Sequence, residues 1–477
     1  IAKQLHPARD SQTPCGGDDD WQRQHALGLL RKYGWNATSF QILEPELSYW
    51  FDEDACVAYM DTGRCWVVAG APLCHDARLL AVAQAFCWSA RRSGRRVAFF
   101  ATEQRFVDEV DEVDEVGFDS TVIGAQAIWD PADWQATVQA HRGLREQLNR
   151  ARNKGVSVRQ VMASELEGKS TGLRLEVESL IARWMGQKPM PPMGFLVNVH
   201  PFSFLEERRY YVAERAETIV GFAAVIPVYA RNGWFVEDLM RAADAPNGTA
   251  ELLIDAAIRD ADAHNSHYFT LGLSPLAGAL EFWLGTARRY GSALYDFAGL
   301  QAFKAKLKPR GWVPIYLSVP RGSSTTIAIY DSLAAFAHGR LLRFGIEAFL
   351  RGPEIVVQLI AVMLVPWTLL LCVVDTERWF VVAWLKWFWV GFDGVLCVLL
   401  LSRPKRQLRR WIQWVFGMTL FDAVASSMQA FFVDLSLITD AFQLVLLTLG
   451  VGAPIVASVI LFNVRKRILS FAPLRDP

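Results

Sequence analysis

The sequence predicts an α/β region built from two similar units, followed by an α-helical membrane domain of about four transmembrane helices. Three observations carry this expectation. Up to about Gly352 charged residues recur every few positions, whereas from Ile355 onward four apolar stretches follow one another with short charged loops between them. A strand-helix-strand order occurs twice before those stretches. The composition, 52% hydrophobic yet 21% charged, fits a polar globular part averaged with an apolar one. At 477 residues the chain also exceeds what one hydrophobic core organises.

The first two dozen residues, with Pro7, Pro14, Gly16, Gly17 and the run Asp18–Asp20, read as a flexible lead-in without a signal-peptide pattern. Folding is expected to begin near Trp21. The stretches Ala58–Asp61 and Cys65–Ala69 alternate as two short strands around Gly63; a helix over Leu79–Ala90 and a strand over Arg95–Ala101 follow. The same order returns as strands over Tyr210–Ala213, Ile219–Pro227 and Gly233–Met240, a helix over Ala250–Ala263 and a strand over His267–Leu273. Between the two units His141–Lys154 reads as a basic helix stopped by Gly155.

The expected organisation is therefore a lead-in (1–24), a first half with the basic linker helix (25–164), a second half (165–322), an amphipathic juxtamembrane helix (323–352), a four-helix membrane domain (353–467) and a cytoplasmic tail (468–477). In the juxtamembrane segment Ser323–Arg351, Ile327, Ile329, Leu333, Phe336, Leu341, Leu342, Phe344 and Phe349 alternate with Arg340, Arg343 and Arg351, a pattern suited to a helix in the headgroup layer, against the plain alternative of a packed helix closing the second half.

The spans are expected near Ile355–Val374, Phe380–Leu401, Trp411–Val433 and Ala441–Phe462, each about the 20 residues that hydrocarbon thickness demands. Arg403, Lys405, Arg406, Arg409 and Arg410 fall between the second and third, and Arg465, Lys466 and Arg467 after the fourth. Asp375, Glu377, Asp434 and Asp440 fall in the opposite loops, so the positive-inside bias places the N-terminal region in the cytoplasm of a multi-pass inner-membrane protein. Lys386, Asp393 and Asp422 inside the spans read as a structural polar cluster between helices.

Zero net charge hides a split. Residues 1–350 carry 37 Lys and Arg against 41 Asp and Glu, so any RNA contact must use a local basic surface rather than the field of the whole region. Arg142, Arg145, Arg150, Arg152 and Lys154 on the linker helix are the candidate surface for an RNA phosphate or lipid-headgroup contact, against the plain alternative of a solvated helix face. The three DEV repeats at Asp108–Val116 lack the ligand variety of a calcium loop and read as a solvated segment. Seven cysteines without CxxC or other ligand spacing read as reduced packing residues, and no metal site is expected.

Four blocks in fixed order, VEDLMR (Val236–Arg241), PNGTAELLI (Pro246–Ile254), LGLSPLAG (Leu271–Gly278) and LYDFAGLQAFKAKLKPRGWVPIYL (Leu294–Leu317), resemble the catalytic domain of the phosphatidylglycerol lysyl- and alanyltransferases, the multiple-peptide-resistance family. With LLRKYGWN (Leu29–Asn36) and the basic helix, the resemblance covers roughly residues 25–320. It implies a tandem acetyltransferase-like fold with the catalytic half second, and transfer of an aminoacyl group from aminoacyl-tRNA to phosphatidylglycerol or a related membrane lipid. The chain departs from the family where Gly70-Ala71-Pro72 replaces Gly-Asp-Pro, in the DEV tract, and in carrying its spans after the catalytic region.

An aminoacyl ester is already activated, so this chemistry needs no cofactor. It needs approach of two large substrates, deprotonation of a hydroxyl and stabilisation of an oxyanion. Asp238 and Arg241, three apart at a strand end, are the first candidates: if the chain leaves the strand there both face one site, Asp238 orienting the hydroxyl or holding the α-ammonium and Arg241 holding a phosphate or oxyanion. The alternative is a structural ion pair. Asp296, Lys304 and Lys306 come from the last family block; Lys304 and Lys306 cannot both face inward, and Lys304 is the favoured phosphate ligand. Ser274 suits a substrate hydrogen bond or a turn cap, and Glu251 a substrate contact or the helix dipole. The loop RAADAPNGTA lacks the spacing that cradles a CoA pyrophosphate. An acyl-CoA-dependent membrane acyltransferase and a non-catalytic membrane-anchored binding protein remain the alternatives.

Overall fold

The computed structural model describes residues 16–111, 117–168, 172–188, 191–275, 297–351, 354–373, 383–402, 408–433 and 441–470. One eleven-stranded sheet organises everything before the spans. Its strands are β1 Ser48–Asp52, β2 Ala55–Asp61, β3 Cys65–Ala69, β4 Arg96–Thr102, β5 Phe118–Trp129, β6 Val156–Val161, β7 Arg209–Arg215, β8 Thr218–Val228, β9 Gly233–Arg241, β10 Tyr268–Pro275 and β11 Gly311–Pro320. Across the sheet they run β1-β2-β3-β4-β11-β5-β10-β9-β8-β7-β6.

Each half contributes one crossover unit of the kind that parallel pairing requires. β3 and β4 pair in parallel around helix Leu79–Arg92, and β9 and β10 around helix Thr249–Ala263. In the first helix Leu79, Val82, Ala83, Phe86, Cys87 and Ala90 are buried, the three-and-four spacing of one apolar stripe, and Gly94 with φ +68° follows its end.

The halves exchange their last strands. β11, which closes the second half in sequence, pairs with β4 of the first, while β5, from the first half, pairs with β10 of the second; β5 and β11 pair with each other along their length. This is a tandem acetyltransferase-like architecture in which neither half completes its own sheet. Side groups reinforce the seam. Glu103, just after β4, accepts from the Ala37 amide at 3.0 Å and from Arg231 at 2.8 Å, and Arg231 lies 3.6 Å over the Tyr268 ring.

Three boundaries differ from those expected from sequence. Helix Gly16–Tyr33 begins inside the segment read as a lead-in, because Asp19 and Asp20 suit its N-terminal turns and Ala26, Leu27, Leu29 and Leu30 bury against the first half. β6 pairs antiparallel with β7, so the cut at residue 164 separates two neighbouring strands of one ladder, and β6 sits with the strands of the second half. The juxtamembrane segment is two helices, Thr325–Phe336 and Leu341–Leu350, because His338 and Gly339 turn left-handed with φ +51° and +73°. Glu112–Val116 of the DEV tract, Asp296 and the loop around Arg403–Arg406 lie outside the described residues.

Four helices, Glu354–Val373, Ala383–Leu401, Leu408–Phe432 and Ala441–Ser470, are long and apolar enough to cross a bilayer. Each touches its sequence neighbour and the first touches the fourth, closing a ring. Outward-facing Trp384, Trp387, Val398, Trp414 and Phe431 are exposed, as side chains facing lipid are. Asp393 and Asp422 are instead buried in the bundle, with Ser426 donating to Asp422 at 2.9 Å.

Candidate functional site

β9 and β10 pair only from Gly233–Phe235 with Tyr268–Thr270, and no further pair joins them. Two irregularities flank this divergence. On β9 the register against β8 shifts so that Val236 faces Val225 and Asp238 faces Ala224, leaving Glu237 as the extra residue of a bulge. On β10 the register against β5 shifts between Thr270 and Leu273, with Gly272 at φ +70°. A Cβ at Gly272 would stand 2.6 Å from the Phe235 ring, so glycine is required there both by φ and by the close approach. The Gly272 amide donates to Thr270 Oγ1 at 3.0 Å, and Thr270 donates to the Ala127 carbonyl at 2.8 Å, pinning the bulge.

The β9 margin carries a buried charge cluster. Arg208 forms a fully buried ion pair with Glu237, donates to the Ser203 carbonyl at 2.7 Å and Ser203 Oγ at 3.0 Å, and lies 5.0 Å over the Phe40 ring. Asp238 is buried beside this pair and one of its oxygens, Oδ2, has no hydrogen-bond partner. Burial, then the neighbouring Glu237 and Glu44, push its carboxyl well above the usual carboxylate range, against the pull of Arg208. Glu44, at the end of the turn Ala37–Leu43 of the first half, is pushed up to about 8, chiefly by burial and next by Glu237. Its Oε2 lies 3.7 Å from His200 Nε2 and makes no hydrogen bond.

The β10 margin carries a buried cation. Lys304, on helix Phe297–Lys306, donates to the carbonyls of Gly272 at 2.7 Å and Leu273 at 3.0 Å. Burial lowers its ammonium to about 7. Ser274 beside it is wholly buried with Oγ unpartnered.

The structure brings the sequence-derived residues together unevenly. Asp238 shares a face of β9 with Met240, whereas Arg241 follows Leu239 onto the opposite face, where it is exposed and donates to the Ala245 carbonyl at 3.4 Å. The expectation that the chain leaves the strand and turns both residues to one point is not met, because β9 continues through Arg241. Lys306 is exposed while Lys304 is buried. Glu251 is buried in the first turn of its helix and accepts from Gln147 of the basic helix at 3.2 Å, tying two helices rather than facing the divergence. Glu44, Arg208, Glu237 and His200 were missed by sequence reasoning. Glu237 was within reach of it, as the first carboxylate of Glu-Asp in an apolar strand; the other three come from distant segments.

The basic helix, Arg142–Arg152, packs through Leu144, Leu148 and Ala151. Arg152 pairs with the buried Asp255 at 2.8 Å, Arg145 donates to the carbonyls of Val138 and Gln139, and Arg142 pairs with Glu146 at 2.6 Å. Arg150 and Lys154 stand exposed. Beside the start of this helix a cavity of about 380 Å³ is lined by Trp129, Asp133, His141, Lys308 and Trp312, among others.

A family model described as phosphatidylglycerol lysyltransferase, C-terminal, matches residues 28–319. The phosphatidylglycerol lysyltransferase of Bacillus subtilis (strain 168) is 26% identical over 332 residues, which cover 66% of this chain and 37% of that protein. The chain thus spans little more than a third of that relative's length. Two solved structures share the fold. The C-terminal domain of a putative lysylphosphatidylglycerol synthetase from Agrobacterium fabrum superimposes with a TM-score of 0.58 at 21% identity, over 67% of this chain and 98% of that one. L-PGS from Bacillus licheniformis gives 0.57 at 22%, over 66% and 96%.

Proposed function

The chain belongs to the phosphatidylglycerol lysyltransferase C-terminal family, and from that premise we propose that it transfers an aminoacyl group from aminoacyl-tRNA to a hydroxyl of phosphatidylglycerol at the cytoplasmic face of the inner membrane. The observation that carries the reading is Asp238: a buried carboxyl with one oxygen unpartnered, at the margin of the divergence whose other side holds the buried Lys304. The lipid hydroxyl oxygen attacks the ester carbonyl, the bond to the tRNA ribose oxygen breaks, and the hydroxyl proton ends on that ribose oxygen. No electron changes hands.

A base for this step works best with a pKa near the operating pH, and burial moves Asp238 in that direction. The Lys304 ammonium is suited to the oxyanion or to protonating the leaving oxygen, since a cation in a dry site acts on developing charge without reorganisation. Glu44, Glu237 and Asp238 face a single fully buried cation, Arg208, so an incoming ammonium of the aminoacyl group suits the same cluster. Basic residues Arg410, Arg465 and Lys466 on one side of the bundle support the cytoplasmic orientation.

The test uses the full chain in phosphatidylglycerol vesicles with labelled aminoacyl-tRNA. Label entering the organic phase, abolished by ribonuclease, is the expected result, with Asp238→Asn and Lys304→Met each lowering kcat/KM by about 100-fold or more. The rate is expected to fall as pH rises through about 7, where Lys304 loses its proton. Transfer from acyl-CoA alone, or full activity in both variants, overturns the proposal.

A further inference from the structure

Helix Leu341–Leu350 exposes Leu342, Ile346 and Phe349 to the extent of 86%, 60% and 46%. Spacings of four and three put them on one stripe. The other side is already engaged: Ala348 is buried, the helix touches the last span, and Asn463 of that span donates to the Leu350 carbonyl at 2.8 Å. Arg343 flanks the stripe, paired with Glu347 at 3.0 Å, and Arg340 is exposed at the helix start.

We propose that this helix lies in the anionic headgroup layer of the bilayer, with Leu342, Ile346 and Phe349 against the acyl chains, and thereby sets how the α/β region sits on the membrane. It rests on the reading of the four apolar helices as spans, not on the transfer activity.

Chain geometry selects the bilayer as the occupant. The first span begins at Glu354, and three residues from Arg351 reach at most about 10 Å. The last span helix has 30 residues, about 45 Å, against a hydrocarbon core of about 30 Å, so one end must leave the core. The end with Arg465 and Lys466 is the charged one, and Asn463 lies within a turn of it. The Asn463–Leu350 bond therefore fixes the C-terminal end of the juxtamembrane helix at headgroup depth. Helix Gly172–Gln187 of the second half touches the same last span, so the α/β region is held at a second point. Three large apolar side chains in one row are costly in water but favourable at that depth, with Arg340 and Arg343 near anionic lipid.

The experiment reads depth rather than activity. Leu342→Cys, Ile346→Cys and Arg343→Cys are each introduced into the full chain, spin-labelled, and reconstituted in nanodiscs containing phosphatidylglycerol; the labelled unsubstituted chain supplies the baseline, and Val362→Cys reports the first span. Collisions with oxygen are expected to exceed those with a nickel chelate several-fold at 342, 346 and 362, and the reverse is expected at 343. Nickel-dominated signals at 342 and 346 overturn the proposal, as does shielding from both reagents, which points to a second copy or another protein on this face. A water-exposed label at 362 overturns it together with the spans. Absence of aminoacyl transfer with the expected depths leaves it standing while the proposed function fails.

Discussion

Glu44, Glu237 and Asp238 converge on one fully buried guanidinium, that of Arg208, and this imbalance makes the cluster sensitive to pH. Glu44 holds its proton to about 8 in the folded chain, against 4.5 ordinarily. The folded state therefore binds more protons than the unfolded state between those values, and stability is lost as pH rises across that window. Asp238, also pushed up, contributes with the same sign. The charged and titratable groups around Glu44 are Arg23, Arg208, Glu46, Glu237, Asp238 and, at 3.7 Å, the His200 ring. Glu44→Gln is expected to flatten the decline of the thermal unfolding midpoint between pH 5 and 8, measured on the full chain in detergent. Parallel declines in variant and wild type would assign the sensitivity elsewhere.

Elements in this protein are held at close quarters by particular residues. Gly124 of β5 is crossed by β10 so closely that a Cβ would stand 2.4 Å from the Ser274 carbonyl and 3.1 Å from Pro275 Cα. Backbone cannot yield as a side chain does, so Gly124→Ala is expected to cost about 1–3 kcal/mol of stability by overpacking. Gly311→Ala on the neighbouring β11, where nothing lies within 4 Å, is the control, and chemical denaturation of both variants checks the difference. The basic helix divides its cations by duty. Arg152 is committed to Asp255, so its replacement tests packing, whereas Arg142, Arg150 and Lys154 remain at the surface. Replacing those three by Gln is expected to weaken tRNA binding and reduce the slope of log K against log salt by about 2–3, since each lost phosphate contact releases one counterion fewer. An unchanged slope returns the helix to a solvated face.

For the molecule as a whole, the exchange of β5 and β11 joins the halves into one cooperative body. A half without its partner lacks the strand that completes its sheet and leaves an open edge in the middle of its core. Residues 16–140 and 141–351 produced as separate chains are therefore expected to be unfolded or aggregated alone, and to become protease-resistant when co-expressed. Independent folding of either, seen by circular dichroism and limited proteolysis, would show that the exchanged strands are dispensable.

The sequence by itself determined the local elements whose signals are short-range. The four apolar stretches, the crossover helices and strands β2 to β4 and β7 to β10 follow from periodicity and from bilayer thickness. It also determined Asp238 and Lys304 as candidates, through their blocks. Tertiary structure decided the rest. β11 is not legible in the sequence because Pro314 and Pro320 argue against a central strand, yet Pro314 pairs in register with Ala125 and the register shifts only between Ile315 and Tyr316. β5 was masked by the small residues Gly124, Ala125 and Ala127, which are needed where β10 and β11 approach from both sides. The exchange could not be read at all, since strand order depends on which edges meet and not on any one strand's residues. The same holds for Glu44 and Arg208, which stand 194 and 30 positions before Asp238 and reach it only because the folded sheet and the turn Ala37–Leu43 bring them there. Periodicity is a property of neighbouring residues, whereas the charge balance of a buried cluster is a property of the whole packed chain.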